Sequence, residues 1–211
     1  VNFRKIDRRY LGRKFIRDLH YLHTPRSQGD TFGLYLRGSK FPFAIETVGY
    51  TKNSPSFRQD ALLIRGFNPD YGIELTRLYT WPGSPRNIIG LIDRLAFEYY
   101  KKLKYNIEVV ITTMTPTYSK TRSTTIASGI DQVLYVRPLS HKFVCRKISG
   151  KKVWEHITIR NLNRLRIPKS EVIETNPKFP LYPSVGVYRQ IGRKSFDEFP
   201  VVQGKIMGFG F

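Results

Sequence analysis

Residues Ile73 to Met114 read IELTRLYTW, PGSPRN, IIGLIDRLAFEYYKKLKYN and IEVVITTM, and this stretch decides the fold. Ile73 to Trp81 is rich in β-formers, and Ile107 to Met114 is apolar and β-branched. Between them, Pro82 to Asn87 is a Pro/Gly/Ser turn and Ile88 to Lys104 carries a helical repeat. A stripe of Ile88, Leu91, Ile92, Leu95, Ala96, Tyr99 and Leu103 predicts the buried side of that helix, with Arg94, Glu98, Lys101 and Lys102 turned away. Strand, turn, helix and strand of this length make one βαβ unit, whose turn delivers backbone N–H groups to a helix N-terminus. Ser84, Arg86, Asn87 and Ile88 stand where an anion would dock, with Pro85 suited to the first helical turn.

Upstream, TFGLYLRG and FPFAIETVGY predict a hairpin around Gly38-Ser39, with Phe32, Leu34 and Leu36 on one face and Phe43, Ile45 and Thr47 on one face. A polar loop is expected from Thr51 to Gln59, then a strand or short helix in ALLIRGF. Residues 1–17 hold Arg4, Lys5, Arg8, Arg9, Arg13, Lys14 and Arg17 against Asp7 alone, with apolar residues at helical spacing, which predicts a basic amphipathic helix. Downstream, VLYVRP, KFVCRKI and KVWEHITI read as strands, and the chain turns loop-rich and basic from Arg160. The expected organisation is an α+β fold: residues 1–135 as the main domain and 136–211 as a basic β/loop subdomain.

The 211 residues are enough to bury a sizeable core, and the formal charge is +20. Such an excess of Lys and Arg implies a polyanionic partner, DNA first and RNA second. Aromatics at 14% argue for a packed domain over a disordered basic tail. The single Cys145 excludes an internal disulfide and a cysteine zinc finger, and four scattered His give no metal set. Without a long apolar run, the expectation is a cytoplasmic protein with no membrane partner; oligomeric state is not legible. From Arg137 to Lys194, fourteen Lys and Arg face three acids, with Phe143, Trp154, Tyr182 and Tyr188 among them. That mixture suits phosphate contacts and base stacking, although the aromatics also suit a β core. Arg8, Arg9, Arg13, Arg122, Lys151, Lys152, Arg164 and Arg166 are the candidate nucleic-acid contacts.

Three passages carry a family resemblance. HYLHTP (20–25), ELTRLYT (74–80) and PRNIIGLIDRLAFEYYKKL (85–103) running into VVITTMTPTYSKTRSTTIASGI (109–130) resemble the Mom family of phage DNA-modification proteins. That family is an outlying branch of the Gcn5-related N-acetyltransferases, whose element order this chain follows. The resemblance covers residues 16–135 and implies a mixed central sheet of the acyl-CoA N-acetyltransferase type. It also implies acetyl-CoA or another acyl-CoA as donor, the N6 amine of adenine in DNA as acceptor, and, for a phage protein, the host cytoplasm as location. The usual pyrophosphate loop is replaced here by Gly83-Ser84-Pro85-Arg86-Asn87, and Thr115-Pro116-Thr117-Tyr118 lacks the family's carboxylate.

Acyl transfer to an amine needs a base, a donor for the thioester oxygen and an acid for the leaving thiolate. His23 is the expected base because an imidazole titrates near neutrality. Tyr118, just past the second strand, is the expected acid, one among thirteen tyrosines. Glu74 and Arg77 complete the candidate set, yet their odd spacing puts them on opposite faces unless a bulge intervenes. Each has a structural alternative: packing for His23, a helix cap for Ser84, and a salt bridge to Glu74 or Asp93 for Arg77. Two other functions fit the charge, a non-enzymatic DNA- or RNA-binding protein of a larger assembly and an N-acetyltransferase acting on a protein or tRNA amine.

Overall fold

A computed structural model describes residues 1–7, 29–103, 106–114, 125, 128–137, 142–148, 150–157, 172–174 and 183–196. Its strands are β1 (Asn2–Ile6), β2 (Asp30–Tyr35), β3 (Pro42–Tyr50), β4 (Gly72–Thr80), β5 (Val109–Met114), β6 (Gln132–Arg137), β7 (Lys142–Ile148), β8 (Lys151–Ile157), β9 (Val172–Glu174) and β10 (Ser184–Gln190). Among the described residues the α-helices are α1 (Ser56–Ile64) and α2 (Ile88–Lys102). The main sheet has seven strands in the order β1-β2-β3-β4-β5-β10-β6, and β8-β7-β9 form a second sheet. Within the main sheet β4 and β5 are parallel and the other pairs antiparallel. The other partner of β5 is thus β10, a strand that arrives some seventy residues later.

Among the described residues, α2 packs on one face of the main sheet and α1 on the other. Under α2 lie Phe32, Val48, Ile73, Leu75, Val110, Met114 and Val187, joined by Ala96, Phe97 and Tyr100 from the helix. Leu34, Ala44, Ile88 and Ile92 extend this layer toward the helix start. On the opposite face, Leu62 of α1 and Phe67 pack on Val109, Ile111, Leu134, Tyr135 and Tyr188. Burial on both sides explains why β5 reads as a continuous apolar run instead of an alternation.

The hairpin and the βαβ unit form where the sequence places them. Three expectations are corrected. Residues 2–6 form an edge strand paired to β2, not the start of a basic helix; Arg4 and Lys5 lie on that edge, where charge blocks further pairing. The stretch Thr51 to Gln59 is not all loop, because a 3-10 turn at Thr51–Asn53 leads into α1 from Ser56. The buried side of α2 is rotated: Ile88, Ile92, Asp93, Ala96, Phe97 and Tyr100 face inward while Leu91 and Leu103 are exposed. Asp93 is accommodated because Ser128 Oγ donates to its carboxylate. Leu36, expected beside Phe32 and Leu34, lies past the end of β2 and is exposed.

Candidate active site

The parallel pairing of β4 with β5 lasts four residues, from Gly72 opposite Val109 to Leu75 opposite Thr112. Beyond that point β4 continues through Thr76–Thr80 against β3 alone, and β5 continues through Thr113 and Met114 against β10. The two strands therefore part at Leu75, leaving one edge of β4 without a strand partner among the described residues. Thr112 Oγ1 donates to the Leu75 carbonyl at 2.9 Å, closing the ladder where the strands separate.

A bulge sits at the same point. Val48 pairs with Leu75 and Thr47 with Arg77, so Thr76 is the extra residue on β4. Thr76 Oγ1 donates to the Thr47 carbonyl at 2.9 Å, and Arg77 Nη1 to the Thr76 carbonyl at 2.7 Å. The bulge resolves the spacing of Glu74 and Arg77. Their partners Gly49 and Thr47 are two residues apart on one strand, which brings both side chains to the face covered by α1. The Glu74 carboxylate accepts from Ser54 Oγ and Arg58 Nη1. Through these contacts the buried Glu74 ties α1 to the sheet.

A phenol missed in the sequence stands at the mouth of the opening. Tyr135 Oη lies 2.7 Å from Thr113 Oγ1, the first side chain on this face of β5 after the strands part. Burial pushes the Tyr135 phenol above its ordinary range, partly offset by the charge of Arg58 and the bond to Thr113. Its ring lies directly over Gly186 of β10, where any Cβ would collide with it. Leu134 is an extra residue opposite the Gly186–Val187 step, and this second bulge lets Leu134 and Tyr135 both turn toward α1. No local pattern in VLYVRP announces this, because the glycine that makes room is fifty-one positions away.

The turn after β4 is tied to the hairpin by Trp81, whose backbone N–H donates to the Phe43 carbonyl and whose indole donates to the Pro42 carbonyl, each at 2.9 Å. Ser84 is not the helix cap: its hydroxyl donates to the Trp81 carbonyl at 2.7 Å. The cap position belongs to Asn87, in the left-handed region at φ 62°, and Pro85 stays outside the helix. No acidic residue occupies the first turn of α2, so nothing there repels an anion, and Arg86 is exposed beside it. Ile88 is buried, which leaves its backbone as the part that faces a ligand.

His23, Tyr118, Arg8, Arg9, Arg13, Arg122, Arg164 and Arg166 lie outside the described residues. Lys151 and Lys152 open β8, paired in register with Ile148 and Lys147 of the second sheet.

A mixed sheet whose central parallel pair parts beside the N-terminus of the crossover helix has known counterparts. The fold is that of the Gcn5-related N-acetyltransferases. The polyamine N-acetyltransferase of Drosophila melanogaster, which forms N-acetylagmatine, superposes with a TM-score of 0.50 over 90% of this chain and 99% of its own, at 13% identity. Two further structures give 0.49. Arabidopsis thaliana NAA60 in complex with acetyl-CoA shares 11% identity, covering 90% of this chain and 98% of its own. Salmonella typhimurium yncA with its cofactor acetyl-CoA shares 9%, covering 93% and 97%. No family model matches the sequence, and no curated protein does. In acetyltransferase terms, β10 and β6 close the sheet beyond β5, and the second sheet is carried on the connection between them.

Proposed function

We propose that this protein transfers an acyl group from an acyl-CoA, acetyl-CoA being the simplest donor, to an amine of a nucleic acid, the N6 amine of adenine in DNA. The observation that carries this reading is the parting of β4 from β5 at Leu75, with the open edge of β4 leading to the start of α2. A pure nucleic-acid binder has no use for such a gap.

The residues present fit the donor. The open edge of Thr76–Thr80 offers main-chain groups to an extended ligand bearing amides, in the manner of an added strand. The acid-free first turn of α2, with Arg86 beside it, suits a pyrophosphate. A bound acyl-CoA supplies the thioester carbon that the acceptor amine attacks. Tyr135, a phenol and so protonated at neutral pH, stands as proton source for the departing sulfur, with Thr113 linking it to the opening. Arg77, on the same face, is placed to meet a phosphate or the acyl oxygen, and His23 stays the proposed base.

The nucleic-acid acceptor is supported by the +20 charge, which a small-amine acetyltransferase does not need. Adenine and DNA follow from the resemblance of HYLHTP and ELTRLYT to the Mom family. A base whose exocyclic amine reacts must leave the duplex stack, so an open cleft beside a basic surface is mechanistically coherent. Mass spectrometry of nucleosides from DNA of cells expressing the protein tests the proposal, beside a His23→Ala control. A new adenosine-derived mass that vanishes in the control is expected. Unmodified DNA with acylated tRNA or protein moves the acceptor, and no acylated product at all overturns the proposal.

A further inference from the structure

The α1 side of the main sheet carries cations that the transfer chemistry does not use. Arg137, at the end of β6, lies over the Phe57 ring with its guanidinium 4.4 Å from the centroid. Arg65, just after α1, lies 6.0 Å over Tyr188 and donates to the Val133 carbonyl at 3.4 Å. Lys194 stands 5.0 Å over Phe67, and the Phe67 and Tyr188 rings touch edge to face at 5.6 Å. Each cation thus sets its charged head on an aromatic ring, and two of those rings, Phe67 and Tyr188, belong to the core.

These three differ from Arg58, which Glu74 neutralises. Among the described residues, none of Arg65, Arg137 and Lys194 forms an ion pair. Among the described residues, Glu74 is taken up by Arg58, the buried Glu108 accepts from the Asn68 N–H and Ser195, and Asp60 and Asp131 are exposed. Arg65 meets β6 at Val133 and Arg137 ends it, four residues or about 13 Å away along the strand. Tyr135 lies between them on β6, and its hydroxyl points to Thr113 at the opening. Three ring-stacked cations on one face, without acidic partners and with the phenol between two of them, match a phosphodiester backbone better than a protein surface.

We infer that Lys194, Arg65 and Arg137 form the track along which the acceptor strand lies, its phosphates on the three cations and its target base turned in between Arg65 and Arg137 to Tyr135. The inference rests on the nucleic-acid acceptor proposed above and adds where that strand enters.

The test is fluorescence anisotropy of a labelled single-stranded DNA 20-mer, of the same sequence as RNA, and of its DNA duplex, titrated with the full-length protein at several salt concentrations. The variant Arg65→Ala/Arg137→Ala/Lys194→Ala is compared with Arg4→Ala/Arg37→Ala/Lys40→Ala, which removes equal charge at the opposite sheet edge. The track variant is expected to lose at least tenfold in affinity and to flatten the log K against log salt slope by about 2, from about 0.7 per single-strand phosphate contact. The opposite-edge variant should stay within about twofold of the parent. Equal losses in the two variants, or no loss in the track variant, overturn the inference. Acetyl-CoA affinity, followed in parallel, should not change in the track variant. Strand binding that depends on the track without any acyl transfer by the parent protein would sink the transferase and leave the track standing.

Discussion

The two halves of β4 obey different rules. Ile73, Glu74 and Leu75 are flanked by β3 and β5 and are all buried. Thr76 to Thr80 are flanked by β3 alone and are all half-buried. One continuous strand thus serves first as core and then as the wall of an opening, and the change falls at a single bulge. The first half gives stability through packing; the second keeps main-chain groups available to a ligand. Substitutions in the two halves should separate these roles.

The largest stability loss is expected at Glu74. Glu74→Ala leaves Arg58, whose side chain is 19% exposed, without its partner, and should cost about 3–5 kcal/mol in urea unfolding. A loss below about 1 kcal/mol would mean that Glu74 is not the tie between α1 and the sheet. Tyr135→Phe removes one hydrogen bond and should cost only about 1 kcal/mol of stability. Its acyl-transfer rate should nonetheless fall by about 100-fold or more, as expected for loss of a positioned acid. A thioester with a much more acidic leaving thiol should recover most of that rate, whereas a merely structural role would leave both donors equally slow.

Alkaline pH probes the packed layers. Burial raises the phenols of Tyr35, Tyr100 and Tyr135, and Asp30 raises Lys5. Groups with raised folded-state pKa values contribute stability below their unfolded values of about 10, and that stability is lost as pH rises through the folded values. Denaturant midpoints should therefore fall above about pH 10, and the fall should be shallower in Tyr100→Phe. The smallest effect is expected at the far end of the open half: Thr80→Ala should stay within about 0.5 kcal/mol of the parent.

Much of this architecture was legible from local pattern. The apolar β-branched run of β5 and the helical repeat after Asn87 dictate the βαβ unit, and an odd spacing between Glu74 and Arg77 already demanded a bulge if both were to share a face. The errors came from contacts made far away in sequence. Arg4 and Lys5 look like a helix surface until β2 is available to pair with them. The stripe of α2 was misphased because Asp93, polar by composition, is buried by a bond from Ser128. Ser84 resembles a cap, but its hydroxyl is taken by Trp81. Tyr135 was invisible because its place depends on Gly186 and on a strand inserted between β5 and β6.

Amide hydrogen exchange with and without acetyl-CoA tests the central claim most directly. The account predicts added protection at Thr76–Thr80 and at the first turn of α2, with Ile73–Leu75, already paired on both sides, unchanged. Protection confined to other segments, or none at saturating acetyl-CoA, would contradict an acyl-donor cleft where β4 leaves β5.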